Sequence, residues 1–441
     1  MSKSILFNAK SKPLAGTLRV PGDKSITQRA YIFGAMAEGI TTVHHPLNSA
    51  DAEATLQAVI DLGATLVEKT DDMVVIKGVG QKGFTAPDSG MIDCQNSGTG
   101  MRLLCGAVAG QNIEISLSGD ASLNKRPMER VAVPLRGMGA SVTTEDGKPP
   151  IKIHGGGLHG IEYHSGVASA QVKSCVLLAG LQANGQTTLV EPQRSRDHTE
   201  KMLPSFGVQL ESTIIETTGA NRVVIQGGQK LAGTDVTVPA DPSSAAFILV
   251  AAALVPDSDV ILNEVGMSPP RTGLIRALRK MGARIEIQNS RFLGQEPVAD
   301  LRISHSKLNP VHINPAEVSD MVDEIPVLML AASLTEGESV FEGLHELRVK
   351  ESDRLGLMID NLKAIGVDCE ISAGDGAVIR GKQQLPMLEA PADWQVAHDH
   401  RLAMTGMVAA LVSPSRINVL EPKAVDVSWP AFLADLESLM A

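Results

Sequence analysis

The sequence predicts an α/β protein of two lobes, each built from three copies of one folding unit. Three observations carry that prediction. Six times along the 441 residues, a short polar cluster precedes an Ala/Leu/Gly-rich stretch of helical character, a turn and a β-like run, at intervals of about seventy to eighty residues. Most copies then add an amphipathic helix that stops at a glycine and enters an alternating, strand-like run. Finally, 441 residues exceed what one comfortable core accommodates, so two lobes are the default.

Taken in order, the clusters are Asp23-Lys24-Ser25, Asn96-Ser97-Gly98-Thr99, Ser169-Ala170-Gln171, Asp241-Pro242-Ser243-Ser244, Ser319 to Asp323, and Asp399-His400-Arg401. Each falls where a helix N-cap is expected. A helix start carries unpaired N–H groups and about half a positive charge, a natural seat for phosphate or carboxylate. The second helices read as Asp51 to Leu62 before Gly63 and Met128 to Met138 before Gly139, with the same pattern at Gly207, Gly282 and Gly366; the sixth copy, from Pro430, ends with the chain. Pro21-Gly22 and Val238 to Pro242 are extended, proline-bearing segments suited to a hinge or crossover. They divide the chain into residues 23–242 and a discontinuous lobe of residues 1–22 and 243–441, which Leu14 to Val20 completes as a strand. The cleft between the lobes is the expected site.

Composition excludes several functions. Only 3% of residues are aromatic and the net charge is -11, the wrong balance for a nucleic-acid binder. Against that acidic background, cations gather beside the clusters: Lys24, Arg29, Arg102, Lys125, Arg126, Arg130, Arg194, Arg196, Lys350, Arg354 and Arg401. That distribution suits a focused pocket for small anions. Cys94, Cys105, Cys175 and Cys369 have neither CxxC spacing nor zinc-type His partners, which disfavours disulfides and structural zinc and fits a reducing cytoplasm. Met1 to Gly16 holds Lys3, Lys10 and Lys12 without an apolar core, so no secretory signal is expected. The longest apolar run, Ala245 to Pro256, is too short to span a bilayer.

Individual motifs leave alternatives open. Lys24, Ser25 and Arg29 offer a point charge, a hydroxyl and a fork to an anion, or make an ordinary capped helix. The glycines of Asn96 to Arg102 admit either a ligand or a neighbouring helix. Lys125-Arg126-Pro127 reads equally as a solvated basic pair. In Arg348 to Arg354, Lys350 and Arg354 are four apart on an expected helical face with Glu351 between them, an arrangement for proton transfer or for a surface ion-pair ladder. Asp323-Glu324 can be an acidic first turn, and Asp399 a cap beside a solvated His400.

Their joint order is more specific. GDKSITQR, NSGTGMR, the KRP after GDASLN, ASAQVKS, MVDEIP, RVKESDRL and DHRLAM, spread over nearly the whole chain, resemble the 5-enolpyruvylshikimate-3-phosphate synthase family. VASAQVKS and RSRDHTEK are similar to its divergent bacterial branch. The resemblance implies the two-lobed enolpyruvyl transferase fold, an inverse α/β barrel of three βαβαββ units per lobe. It also implies transfer of the enolpyruvyl group of phosphoenolpyruvate to the 5-hydroxyl of shikimate 3-phosphate, with release of phosphate, on the shikimate pathway to chorismate and the aromatic amino acids. The expected partners are these two anions, with no cofactor, metal, nucleic acid or membrane, and a cytoplasmic monomer is expected.

Carried over by resemblance, Lys24 touches both substrates. Ser25, Arg29, Ser169, Gln171, Arg196, Asp323 and Lys350 hold shikimate 3-phosphate; Gly98, Arg126, Gln171, Arg354 and Arg401 hold phosphoenolpyruvate. Asp323 is then the base for the attacking hydroxyl and Glu351 the acid and base at the methylene carbon, with Lys24 and His400 as proton carriers near the leaving phosphate. Glyphosate, the family's inhibitor, is expected against Gly98. Three departures stand out: Ser169-Ala170 replaces a serine pair, Val427 replaces a lysine near Lys423, and Ser195 and His198 replace Ser and Tyr. The alternatives are a UDP-N-acetylglucosamine enolpyruvyl transferase, whose reactive Cys has no counterpart in Gln111 to Arg130, and a non-catalytic anion-binding repeat protein of this fold.

Overall fold

The computed structural model describes residues 4–7 and 12–440; Lys3 and Lys10, and Ala441 at the end of the sixth copy, lie outside them. The chain divides into two units at Pro21/Gly22 and Val238/Pro239, and Phe292–Glu296 groups with the unit Gly22–Val238. Gly22 is required at its boundary, since a Cβ there would lie 2.3 Å from the His45 carbonyl oxygen.

The Gly22–Val238 lobe contains three four-stranded sheets with one topology. Asp235–Thr237 runs parallel to Ile40–His44, which pairs antiparallel with Met73–Lys77, itself paired with Thr65–Lys69. Met91–Asp93, Glu114–Ser118, Lys148–His154 and Ser141–Glu145 repeat the pattern, and so do Glu162–His164, Gln186–Glu191, Asn221–Gln226 and Leu210–Ile214. The first sheet thus takes its parallel edge strand from the end of the lobe, which closes the three units on themselves. The other lobe repeats this with Asp259–Gly266 on Ala15–Leu18 and with Gly337–Phe341 on His312–Ile313. The third sheet of this lobe is smaller: Ile417–Leu420 lies parallel to Ala392–Trp394 and antiparallel to Ser4–Phe7, which stands where the other sheets carry a hairpin strand.

The second helices stop as expected, with φ of +101°, +104°, +85°, +98° and +85° at Gly63, Gly139, Gly207, Gly282 and Gly366, a conformation disfavoured for residues bearing a Cβ. The helices that follow the clusters are buried almost throughout. Lys24–Met36, Gly98–Ala109 and Ala170–Gln182 contribute to one core, and Pro242–Leu254, Ile325–Ser333 and His400–Val412 to the other. Close approach sets their composition: a Cβ on Gly106 would meet the Cys175 carbonyl oxygen at 2.2 Å. Among the described residues, no helix is long and apolar enough to cross a membrane.

Candidate active site

Five of the six clusters cap their helices as read. Asp23 Oδ1 accepts from Ile26 N at 2.9 Å, Ser97 Oγ from Gly100 N at 3.1 Å, Ser169 Oγ from Val172 N at 3.4 Å, Asp241 Oδ1 from Ser243 N at 2.8 Å and Asp399 Oδ1 from Arg401 N at 3.0 Å. The fifth differs. Ile325–Ser333 begins after Glu324 with no side-chain cap, and Pro326 in its first turn removes one of the N–H groups a cap would serve.

In the Gly22–Val238 lobe, these starts carry a network of buried and half-buried cations. Lys24 Nζ lies 3.0 Å from Asp51 Oδ2. Gln28 Nε2 donates to the Asp51 carbonyl oxygen, Thr55 Oγ1 and Ser97 Oγ at 3.1, 2.9 and 2.6 Å, tying the first helix start to the second. Arg29, only 2% exposed, donates from Nε to Thr199 Oγ1, from Nη2 to Ser174 Oγ and from Nη1 to the Ser25 carbonyl oxygen, at 2.8, 2.8 and 2.9 Å. Burial pushes its pKa down to about 10; Asp23 and Glu200 act to raise it, while the charge of Arg196 lowers it further. Arg29 thus feels the like charge of Arg196, and a phosphate bound within reach of both would offset it.

The second and third starts are joined as well. Arg102 donates to Gln171 Oε1, and Gln171 Nε2 donates to Thr99 Oγ1 at 2.8 Å. Arg126 Nη2 donates to Asn96 Oδ1 at 2.5 Å, and Asn96 Nδ2 to Asp120 Oδ2 at 2.7 Å. Gly98 lies against this guanidinium, where an added Cβ would come 2.9 Å from Arg126 Nη1. Lys24, Ser25, Arg29, Gly98, Arg126, Ser169 and Gln171 thus lie at or beside three linked helix starts, and the charge of Arg196 acts on Arg29.

The other lobe holds a balanced cluster around Arg354, which is 1% exposed. Its Nε donates to Asp399 Oδ2 at 2.8 Å, Nη1 to Asp323 Oδ1 at 3.0 Å and Nη2 to Glu351 Oε2 at 2.5 Å. Lys350 Nζ lies 3.5 Å from Asp323 Oδ1, and Arg401 Nη2 3.9 Å from Asp323 Oδ2. Burial acts to lower the pKa of Arg354, but Asp399, Glu351 and Asp323 outweigh it and the net shift is upward. One buried cation therefore sets two carboxylates, Asp323 and Glu351, side by side. Lys350 and Arg354 do not share a helical face as the sequence suggests. Lys350 ends the 3₁₀ turn His345–Val349, and Asp353 caps a new helix, Arg354–Ala364, through Gly356 N. The residues still converge because the turn folds Glu351 back onto the guanidinium. His400 is buried at the first position of its helix.

Sequence reasoning did not place Asp51, Asp399 or Gln28 in the site. Asp399 was visible as a cap, but its second oxygen, which holds Arg354 and accepts from Ser352 Oγ at 3.0 Å, leaves no local trace. The cysteines read as core: burial pushes the Cys105 thiol up to about 12, far from a thiolate at neutral pH.

The family model described as EPSP synthase (3-phosphoshikimate 1-carboxyvinyltransferase) matches residues 8–436. A 3-phosphoshikimate 1-carboxyvinyltransferase of Hydrogenovibrio crunogenus is 45% identical over 436 residues, covering 98% of this chain and 97% of that protein. One of Nitrosococcus oceani is 48% identical, with coverage of 95% and 92%. Among solved structures, an EPSP synthase from Acinetobacter baumannii aligns with a TM-score of 0.86 at 43% identity, covering 98% of this chain and 97% of its own. The chain belongs to the EPSP synthase family, and its fold is that family's two-lobed α/β fold.

Proposed function

We infer that this chain transfers the enolpyruvyl group of phosphoenolpyruvate to the 5-hydroxyl of shikimate 3-phosphate, and that the residues above in both lobes serve this one reaction. The observation that carries the residue assignment is the bonding of Asp323 and Glu351 to adjacent nitrogens of Arg354, flanked by Lys350 and Arg401.

In this reading Asp323 takes the proton of the 5-hydroxyl as its oxygen attacks C2 of phosphoenolpyruvate. Glu351 protonates C3, giving the tetrahedral adduct. Removal of a proton from the resulting methyl group then expels phosphate and restores the double bond, with Lys24 and His400 serving the leaving group. The two substrates bring roughly five to six negative charges. The Arg354 cluster, with three cations against three carboxylates, is already neutral, so Arg354 and Arg401 must exchange internal partners for the donor. The other lobe contributes Lys24, Arg29, Arg126 and Arg196, together with its three linked helix starts, to the two anions. Ser25, Arg29, Ser169, Gln171, Arg196 and Lys350 hold shikimate 3-phosphate, and Gly98, Arg126, Gln171, Arg354 and Arg401 the donor. One chain carries every residue the reaction uses, which favours a monomer, and four buried free thiols suit the cytoplasm.

A steady-state assay with phosphate detection tests the reading. Release of phosphate with phosphoenolpyruvate and shikimate 3-phosphate is expected. Turnover with UDP-N-acetylglucosamine alone as acceptor would overturn it.

A further inference from the structure

Lys173 is a lysine in the wrong place for a solvated charge: it lies on the Ala170–Gln182 helix, two residues after Gln171, and is 1% exposed. Three oxygens surround its ammonium, Glu191 Oε1 at 2.7 Å, Glu200 Oε1 at 2.7 Å and the Ser195 carbonyl oxygen at 3.3 Å. Glu191 is equally buried, and its remaining capacity is spent on one loop and one strand. It accepts from Ser195 N at 3.1 Å, Ser195 Oγ at 2.6 Å and Asn221 Nδ2 at 2.9 Å. A buried ion pair of this kind is rarely the most stable filling for a core, because well-packed apolar side chains do as well without desolvating charge. What apolar side chains cannot do is hold the backbone of a neighbouring loop.

That loop carries Arg196. On one side Ser195 is tied to Glu191; on the other the fully buried Asp197 holds Arg194 Nη2 at 2.5 Å and Lys201 Nζ at 3.1 Å. One residue further along the helix, Ser174 Oγ lies 2.7 Å from Thr199 Oγ1, and both hydroxyls accept from Arg29. Lys173–Glu200 and Ser174–Thr199 are thus consecutive stitches between the helix that presents Ser169 and Gln171 and the segment that presents Arg196.

We infer that Lys173, with Glu191 and Glu200, is a positioning residue: its buried clasp fixes the Arg196 loop and the Arg29 seat relative to Ser169 and Gln171, and so sets the affinity for shikimate 3-phosphate. The inference rests on the substrate assignment proposed above.

The test compares KM for each substrate and kcat in Lys173→Met/Glu191→Gln/Glu200→Gln, which removes all three charges of the clasp together, and in Glu191→Asp, which keeps the charge but shortens the arm by one methylene. In both variants KM for shikimate 3-phosphate should rise about tenfold or more, with kcat and KM for phosphoenolpyruvate, measured at saturating acceptor, within about threefold. The triple variant should melt within a few degrees of wild type, separating positioning from stability. A KM for shikimate 3-phosphate within twofold of wild type in Glu191→Asp would overturn the inference, and so would parallel losses in kcat and both KM values. Failure of the substrate reading itself would appear separately, as a wild-type enzyme inactive with shikimate 3-phosphate.

Discussion

Gly98→Ala probes the donor side at a point where the geometry can be worked through. The added Cβ would lie 2.9 Å from Arg126 Nη1, 3.5 Å from Leu123 Cδ1 and 3.8 Å from Arg102 Nη1. Ordinary contact begins near 3.4 Å, so the guanidinium must move by about 0.5 Å. It is not free to swing, because Nη2 is bonded to Asn96, which is in turn bonded to Asp120. Misaligning one charge-assisted hydrogen bond to the donor by this amount should cost about 1–1.4 kcal/mol, or a five- to tenfold rise in KM for phosphoenolpyruvate. On the donor assignment proposed above, glyphosate as a longer occupant of the donor place should lose about tenfold more than that. The backbone at Gly98 is not left-handed, and alanine favours helix over glycine by about 0.5–1 kcal/mol, so the melting temperature should hold or rise slightly. Steady-state kinetics with and without glyphosate, beside a thermal melt, check all three quantities. An unchanged ratio of inhibitor Ki to donor KM with a lowered melting temperature would refute the reasoning and leave Gly98 as a packing residue.

Glu351→Gln keeps the contact with Arg354 but cannot carry a proton, so kcat should fall about a hundredfold or more with little change in either KM; near-normal turnover moves the role to Lys24 or His400. Asp399→Asn retains a good helix cap but strips one charge from the Arg354 clasp. Calorimetry should show a melting point lower by several degrees, and kinetics a KM for phosphoenolpyruvate raised about tenfold. Glu200 has its pKa raised, chiefly by burial, against the opposing pull of Lys173 and with a further push from Asp197. The unfolded chain therefore gives up this proton first, near pH 4.3, and the carboxyl costs stability as pH climbs above that value. The melting-point difference between wild type and Glu200→Gln should accordingly move against the wild type from pH 5 to pH 8; a constant difference contradicts the assignment.

Features governed by neighbours within a few residues were legible in the chain itself. The polar caps at Asp23, Ser97, Ser169, Asp241 and Asp399 and the left-handed stops from Gly63 to Gly366 obey local rules of hydrogen bonding and backbone sterics, and five repetitions of each carry the fold class. The cluster ending at Asp323 suggests a cap because its composition is that of a first turn, while Pro326 reduces the need for one and none forms. Candidate site residues with a helix-start signature, such as Lys24, Gly98, Ser169 and Arg401, are legible for the same reason as the caps. Only the tertiary structure decided the partners. Arg29 meets Thr199 across 170 positions, Gln28 meets Ser97 across 69 and Arg354 meets Asp399 across 45, and no local pattern encodes which carboxylate or hydroxyl arrives there. Lys173 is the sharpest instance. In the sequence it is one more polar residue on a helix, and burial beside Glu191 and Glu200 makes it a charge that has to be compensated, because desolvation acts on the folded environment and not on the residue type.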